Sequence, residues 1–175
     1  MALFAEGILK LHWDQTVPVN LAHIAKNMGI VVALSESLAP CARIDIGADN
    51  KARITIGTHH PVIHQRYAVA QALGHRALHH LRPGHGLPIA VADNFGIDHA
   101  QRHRSEAHQF ALALLMPASV LRYSVCEVRM RQLQELAHLF HVPPLLVKQR
   151  LADLDLRLAV PLALQLDRLA LDGLD

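Results

Sequence analysis

Two stretches of strong helical periodicity, each cut off by proline, constrain this chain more than any other feature. Residues 64–81 read HQRYAVAQALGHRALHHL and are followed by Pro83 and Gly84. Tyr67, Ala70, Leu73, Ala77 and Leu81 fall on one apolar stripe at helical spacing. Gln71, His75 and His79 fall on a neighbouring stripe, each one turn apart. Residues 101–116 read QRHRSEAHQFALALLM and stop at Pro117. Ala107, Phe110, Ala111, Leu114 and Leu115 are the expected buried face of this second helix.

The flanking segments are shorter. Pro18 to Met28 reads as a helix with Asn20 as its cap and Gly29 as its stop. Ile30 to Leu34 is β-branched and reads as a strand. Ala42 to Gly47 and Ala52 to Gly57 alternate apolar and polar residues across the turn at 48–51, so a hairpin and a sheet of about three strands are expected. Residues 82–95 hold prolines and glycines and are expected to form a loop. Residues 131–140 and 144–154 form a helical pair, and the chain ends on a Leu-rich tail at 157–175. The expected fold class is α+β: a small sheet, two site helices and a helical C-terminal tail. The expected division places one domain at 1–130 and a helical region at 131–175 packed on it.

Composition narrows the class. A hydrophobic fraction of 51% against 18% charged residues supports a packed core. Aromatics are only 4%, so Leu, Ala, Val and Ile must build that core. A formal charge of +2 does not mark a nucleic-acid binder. Cys41 and Cys126 form no CxxC pair, which fits a reducing compartment better than a disulfide framework. No secretion signal and no membrane-length apolar run is read, so a cytoplasmic location is expected. The chain holds 14 histidines, which directs attention to metal chemistry.

A hydrolytic zinc takes three protein ligands and keeps a position for water. Two His at i and i+4 on a helix can grip the ion, a carboxylate from a second helix completes the set, and a Glu after the first His takes the water's proton. Residues 64–79, HQRYAVAQALGHRALH, resemble the ImmA/IrrE family helix of the form R-Q-R-F-T-L-A-H-E-L-G-H-x-x-L-H. Residues 106–117, EAHQFALALLMP, resemble that family's E-A-N-x-F-A-x-x-L-L-M-P. The flanks VPVNLAHIAKNMGIVV and LQELAHLFHVPPLLVKQRLADLDL are also similar, so the resemblance covers roughly residues 17–156. It implies a zincin-like, gluzincin-type domain.

The chain departs from that pattern where the chemistry lies. By the resemblance Gln71 stands at the first zinc-ligand position, His75 at the second, Glu106 at the third and Ala72 at the general-base position. An amide oxygen is a poor zinc ligand beside imidazole, and Ala72 can accept no proton. A weak or absent zinc, and no peptidase activity, are therefore expected. His75 and His79 could grip an ion one turn further on, but Arg76 then occupies the base position. His59, His60 and His64 could add a ligand, whereas His108 lies on another helix face. Without metal, Gln71 is expected to bond His75 or Glu106, and Glu106 to pair with Arg66 or His75, while His79 and His80 line the helix end.

The resemblance implies a prokaryotic or phage protein paired with an XRE-type helix-turn-helix repressor or antitoxin, acting as a regulator or toxin component. The alternative is an active zinc metallopeptidase that cleaves a repressor through a displaced ligand set. Lys148, Gln149 and Arg150 could contact a partner or DNA, but Glu135, Asp153 and Asp155 argue against direct DNA binding. The tail from Leu158 to Leu174 is expected to pack on the core or to join two copies.

Overall fold

The structure is a computed structural model, and it describes residues 1–92, 95 and 101–158. Its elements in chain order are α1 (Ala2–His12), α2 (Leu21–Asn27), β1 (Val31–Ser35), β2 (Ala42–Ile46), β3 (Ala52–Gly57), α3 (Val62–Ala77), β4 (Gly86–Ile89), α4 (Arg102–Leu115), α5 (Ala118–Cys126), α6 (Leu133–Phe140) and α7 (Pro144–Asp153). This is an α+β architecture. The sheet order is β1-β3-β2-β4. β1 runs parallel to β3, while β2 is antiparallel to both β3 and β4.

The hairpin forms as its alternation predicts: Ala42, Ile44 and Ile46 of β2 turn inward, and Ala52 and Ile54 of β3 join them. The segment expected as a loop contributes a fourth strand instead, with Ile44 registered on Leu87 and Arg43 on Pro88. Proline is tolerated there because β4 is an edge strand, where a missing N–H breaks no interior ladder. Asn20 caps α2 through its side chain, which accepts from the His23 N–H at 3.1 Å. Two helices carry no expectation from the sequence: α1, which packs on α4 through Ala5 and Leu9, and α5, which follows Pro117 directly.

α3 and α4 form the central pair, and Gly74 sets how closely they meet. A Cβ at Gly74 would lie 2.9 Å from the Phe110 ring and 3.3 Å from the Ala107 carbonyl oxygen. The approach therefore needs a residue without a side chain, because Phe110 is fully buried and cannot yield cheaply. The sheet's inner face, α3, α4 and the apolar residues of α6 and α7 (Leu136, Phe140, Leu146, Val147, Leu151) share one core. Arg150 is drawn into this packing: it is 2% exposed, and its Nε donates to the Met116 carbonyl at the end of α4. That placement removes Arg150 from any contact surface, while Lys148 stays exposed. The Leu-rich tail beyond Leu158 lies outside the described residues. Among the described residues no single helix is long and apolar enough to cross a membrane.

Candidate metal centre

The polar stripe of α3 divides into two environments. The first surrounds Gln71, where the family pattern has its first ligand. Gln71 Nε2 donates to the Tyr67 hydroxyl at 3.1 Å, and Tyr67 in turn donates to His108 Nδ1 in a short hydrogen bond. All three side chains are buried. Burial raises the Tyr67 phenol well above its ordinary range, which keeps it a neutral donor. Phe95 closes over this end, edge-on to Tyr67 and stacked flat on His64 at 4.7 Å between centroids. Ala72, at the position that the resemblance gives to the general base, has no exposed surface. Gln71 thus bonds neither His75 nor Glu106, the two partners expected for it, because Tyr67 lies one turn away on the same face.

The second environment lies at the C-terminal end of α3. The helix stops at Ala77, earlier than the apolar stripe to Leu81 suggests. His79 takes a left-handed backbone conformation, φ 54°. The His80 N–H returns to the His75 carbonyl and the His79 N–H to the Arg76 carbonyl. This is a Schellman closure, formed without the glycine that normally signals it. It turns His79 out to solvent and swings His80 back over the helix end. His79 is therefore not the partner of His75; His80 is.

Five side chains converge there. His80 Nδ1 lies 3.0 Å from His75 Nδ1, and His80 Nε2 lies 3.0 Å from Glu106 Oε2. Glu106 Oε1 accepts from Arg102 Nε at 2.9 Å, one turn back on α4. His103 stacks on the His80 ring at 4.4 Å. Arg66, one of the expected partners of Glu106, is turned away and donates to the Val19 carbonyl at 2.7 Å. The His59 and His60 rings lie tilted against each other beyond β3, and His60 bonds the Ala39 carbonyl.

Charge states follow from these contacts. His75 is pushed down to about 4, first by burial and then by the neighbouring charges of His80, His103 and Arg104, so it is a neutral imidazole at ordinary pH. His80 is also lowered, by burial and His103, with Glu106 opposing. Arg102 and then His80 hold the Glu106 carboxyl below its usual range. The cluster is one carboxylate among imidazoles, beside a pocket of about 320 Å³ lined by Leu81, Leu87, Gln101, Arg102 and Arg104 as well as the histidines.

The zinc set of the resembled family does not fit these residues. The amide at 71 is engaged with Tyr67, so of the three family positions only His75 and Glu106 carry a donor that zinc favours. The residues that do come together are His80, His103 and Glu106, which offer one ligand atom each within 4.8 Å of one another. Of these only Glu106 was legible as a ligand from sequence. His80 appeared only as a residue lining the helix end, and nothing in the spacing singled out His103.

An α+β domain whose central helix pair carries histidines on one member and a glutamate on the other is the frame of a metallopeptidase-type protein. A family model described as the IrrE N-terminal-like domain, a peptidase family, matches residues 25–152. The chain belongs to that family. No curated protein matches it.

Proposed function

We propose that this chain is a zincin-type domain that has lost peptide hydrolysis and works by binding, as the regulator or toxin partner of an XRE-type helix-turn-helix repressor or antitoxin. The observation that carries the reading is the state of α3 at residues 71 and 72. A hydrolytic site needs a proton acceptor beside the metal-bound water. Here that position holds a fully buried methyl group, and the preceding amide is tied into the core. Loss of a general base alone costs on the order of 10²–10⁴ in rate. The wall of the pocket beside His75 offers no carboxylate among the described residues to replace it, and carries Arg102 and Arg104 instead. These guanidiniums suit an acidic segment of a partner. The scaffold around the pocket is meanwhile well packed, as a binding protein requires.

The test is co-purification of the chain with the helix-turn-helix protein encoded beside it, followed by incubation with and without added zinc. A stable complex containing the intact partner is expected. A partner that fails to bind overturns the regulatory reading. Zinc-dependent cleavage of the partner that disappears in Glu106→Ala overturns the loss of hydrolysis and favours the displaced-site peptidase.

A further inference from the structure

We propose that His80, His103 and Glu106 form a binding site for a divalent transition-metal ion, bridging the end of α3 to the first turn of α4 and displaced from the positions that the family motif marks. The inference stands independently of any partner, because it concerns only the chain's own donors.

The donor set is two imidazoles and a carboxylate, which suits zinc, cobalt, nickel or copper and does not suit magnesium or calcium. Bonds of 2.0–2.1 Å in a tetrahedral site place ligand atoms about 3.3 Å apart. His80 Nε2 and Glu106 Oε2 are already 3.0 Å apart. The widest separation in the trio is within 4.8 Å. His103 lies stacked on the His80 ring, so it must leave that stack by a change of side-chain rotamer to ligate in its own ring plane, and because it is exposed this disturbs no core packing.

The surroundings are those of a supported ligand set. Glu106 can ligate through Oε2 while Oε1 keeps its bond from Arg102. His80 can ligate through Nε2 while its Nδ1–H donates to Nδ1 of His75, which fixes the ring orientation and the tautomer. In this arrangement His75 is a positioning residue and no longer a ligand. The adjoining pocket leaves room for water at the remaining coordination position. Arg102 and Arg104 oppose a cation, so the ion is expected to be removable by chelation and dialysis.

The experiment uses the full chain without an affinity tag, stripped with chelator and titrated with Co²⁺, read by its visible d–d absorption and by calorimetry. One equivalent with four- or five-coordinate bands, together with a raised Tm, is expected. His103→Ala should weaken binding at least about tenfold, and Gln71→Ala should leave it unchanged, with near-UV circular dichroism showing that both variants are folded. His103 is the discriminating position because it is exposed and the family motif gives it no part. Absence of uptake by the unmodified chain overturns the proposal. So does affinity that is unchanged in His103→Ala, or that is lost in Gln71→Ala. Loss of binding only when His59 and His60 are both replaced by Ala would assign the ion to that pair and also overturn it.

Discussion

The two halves of α3 carry similar residues into opposite situations. Around Gln71 a tyrosine, an amide and a histidine are buried together and satisfy one another. Around His75, only one turn later, three imidazoles and a carboxylate gather at the helix end beside a pocket. The first half has become core, and its polar atoms serve stability. The second half keeps donors that are partly open and not fully committed. Position on a motif therefore does not decide whether a residue is a ligand; the solvent and neighbours around it do.

This contrast can be broken most severely at Ala72. Ala72→Glu puts a carboxylate at the position that the resemblance gives to the general base, where nothing is exposed. A loss of about 3 kcal/mol or more in unfolding free energy is expected by urea titration, because an unpaired buried charge is poorly tolerated. A variant as stable as the parent would show that the first half opens to water, and the distinction between the halves would fall.

The second half answers to pH. In chelated protein, His75 titrates near its ordinary 6.5 when unfolded and at about 4 when folded. As pH falls through this window the unfolded chain takes up the proton first, so stability falls with it. The contribution is complete above about pH 6.5 and lost below about pH 4, a change on the order of 3 kcal/mol at 1.36 kcal/mol per unit. His80 and Glu106, both lowered, act in the same direction. Urea unfolding across this range should show a shallower pH dependence in His75→Gln than in the parent. An identical slope would mean that His75 is not held neutral by its surroundings.

The smallest expected effect sharpens the first half. Tyr67→Phe removes the hydroxyl that accepts from Gln71 and donates to His108. A loss of about 1–2 kcal/mol is expected, with no change in Co²⁺ affinity. Altered metal binding in this variant would show that the two halves are coupled.

Much of this was legible from residues alone. The apolar stripe of α3, the face of α4, the hairpin and the cap at Asn20 all follow from periodicity and local hydrogen bonding, which act over a few residues. β4 was not legible, because Gly86 and Pro88 read as loop and only the edge of β2 gives them a ladder to join. Arg150 looked like a surface cation, yet the carbonyl of Met116 takes it inside. α1 was passed over, although Ala5 and Leu9 at i and i+4 are its signal.

The sequence by itself determined the family resemblance, through EAHQFALALLMP and the helix around Gly74 and His75, and it placed Gln71 and Ala72 where that resemblance expects a histidine and a glutamate. Which residue type stands at a position is a fact of composition, independent of folding. Which histidines gather around Glu106 was decided only in three dimensions. The left-handed turn at His79 rotates one histidine out and the next one in, and the approach of α3 to α4 at Gly74 brings the start of α4 within reach of it. The turn is a local closure formed without the glycine that would have marked it, and the helix approach depends on contacts between residues far apart in the chain, which no local spacing records.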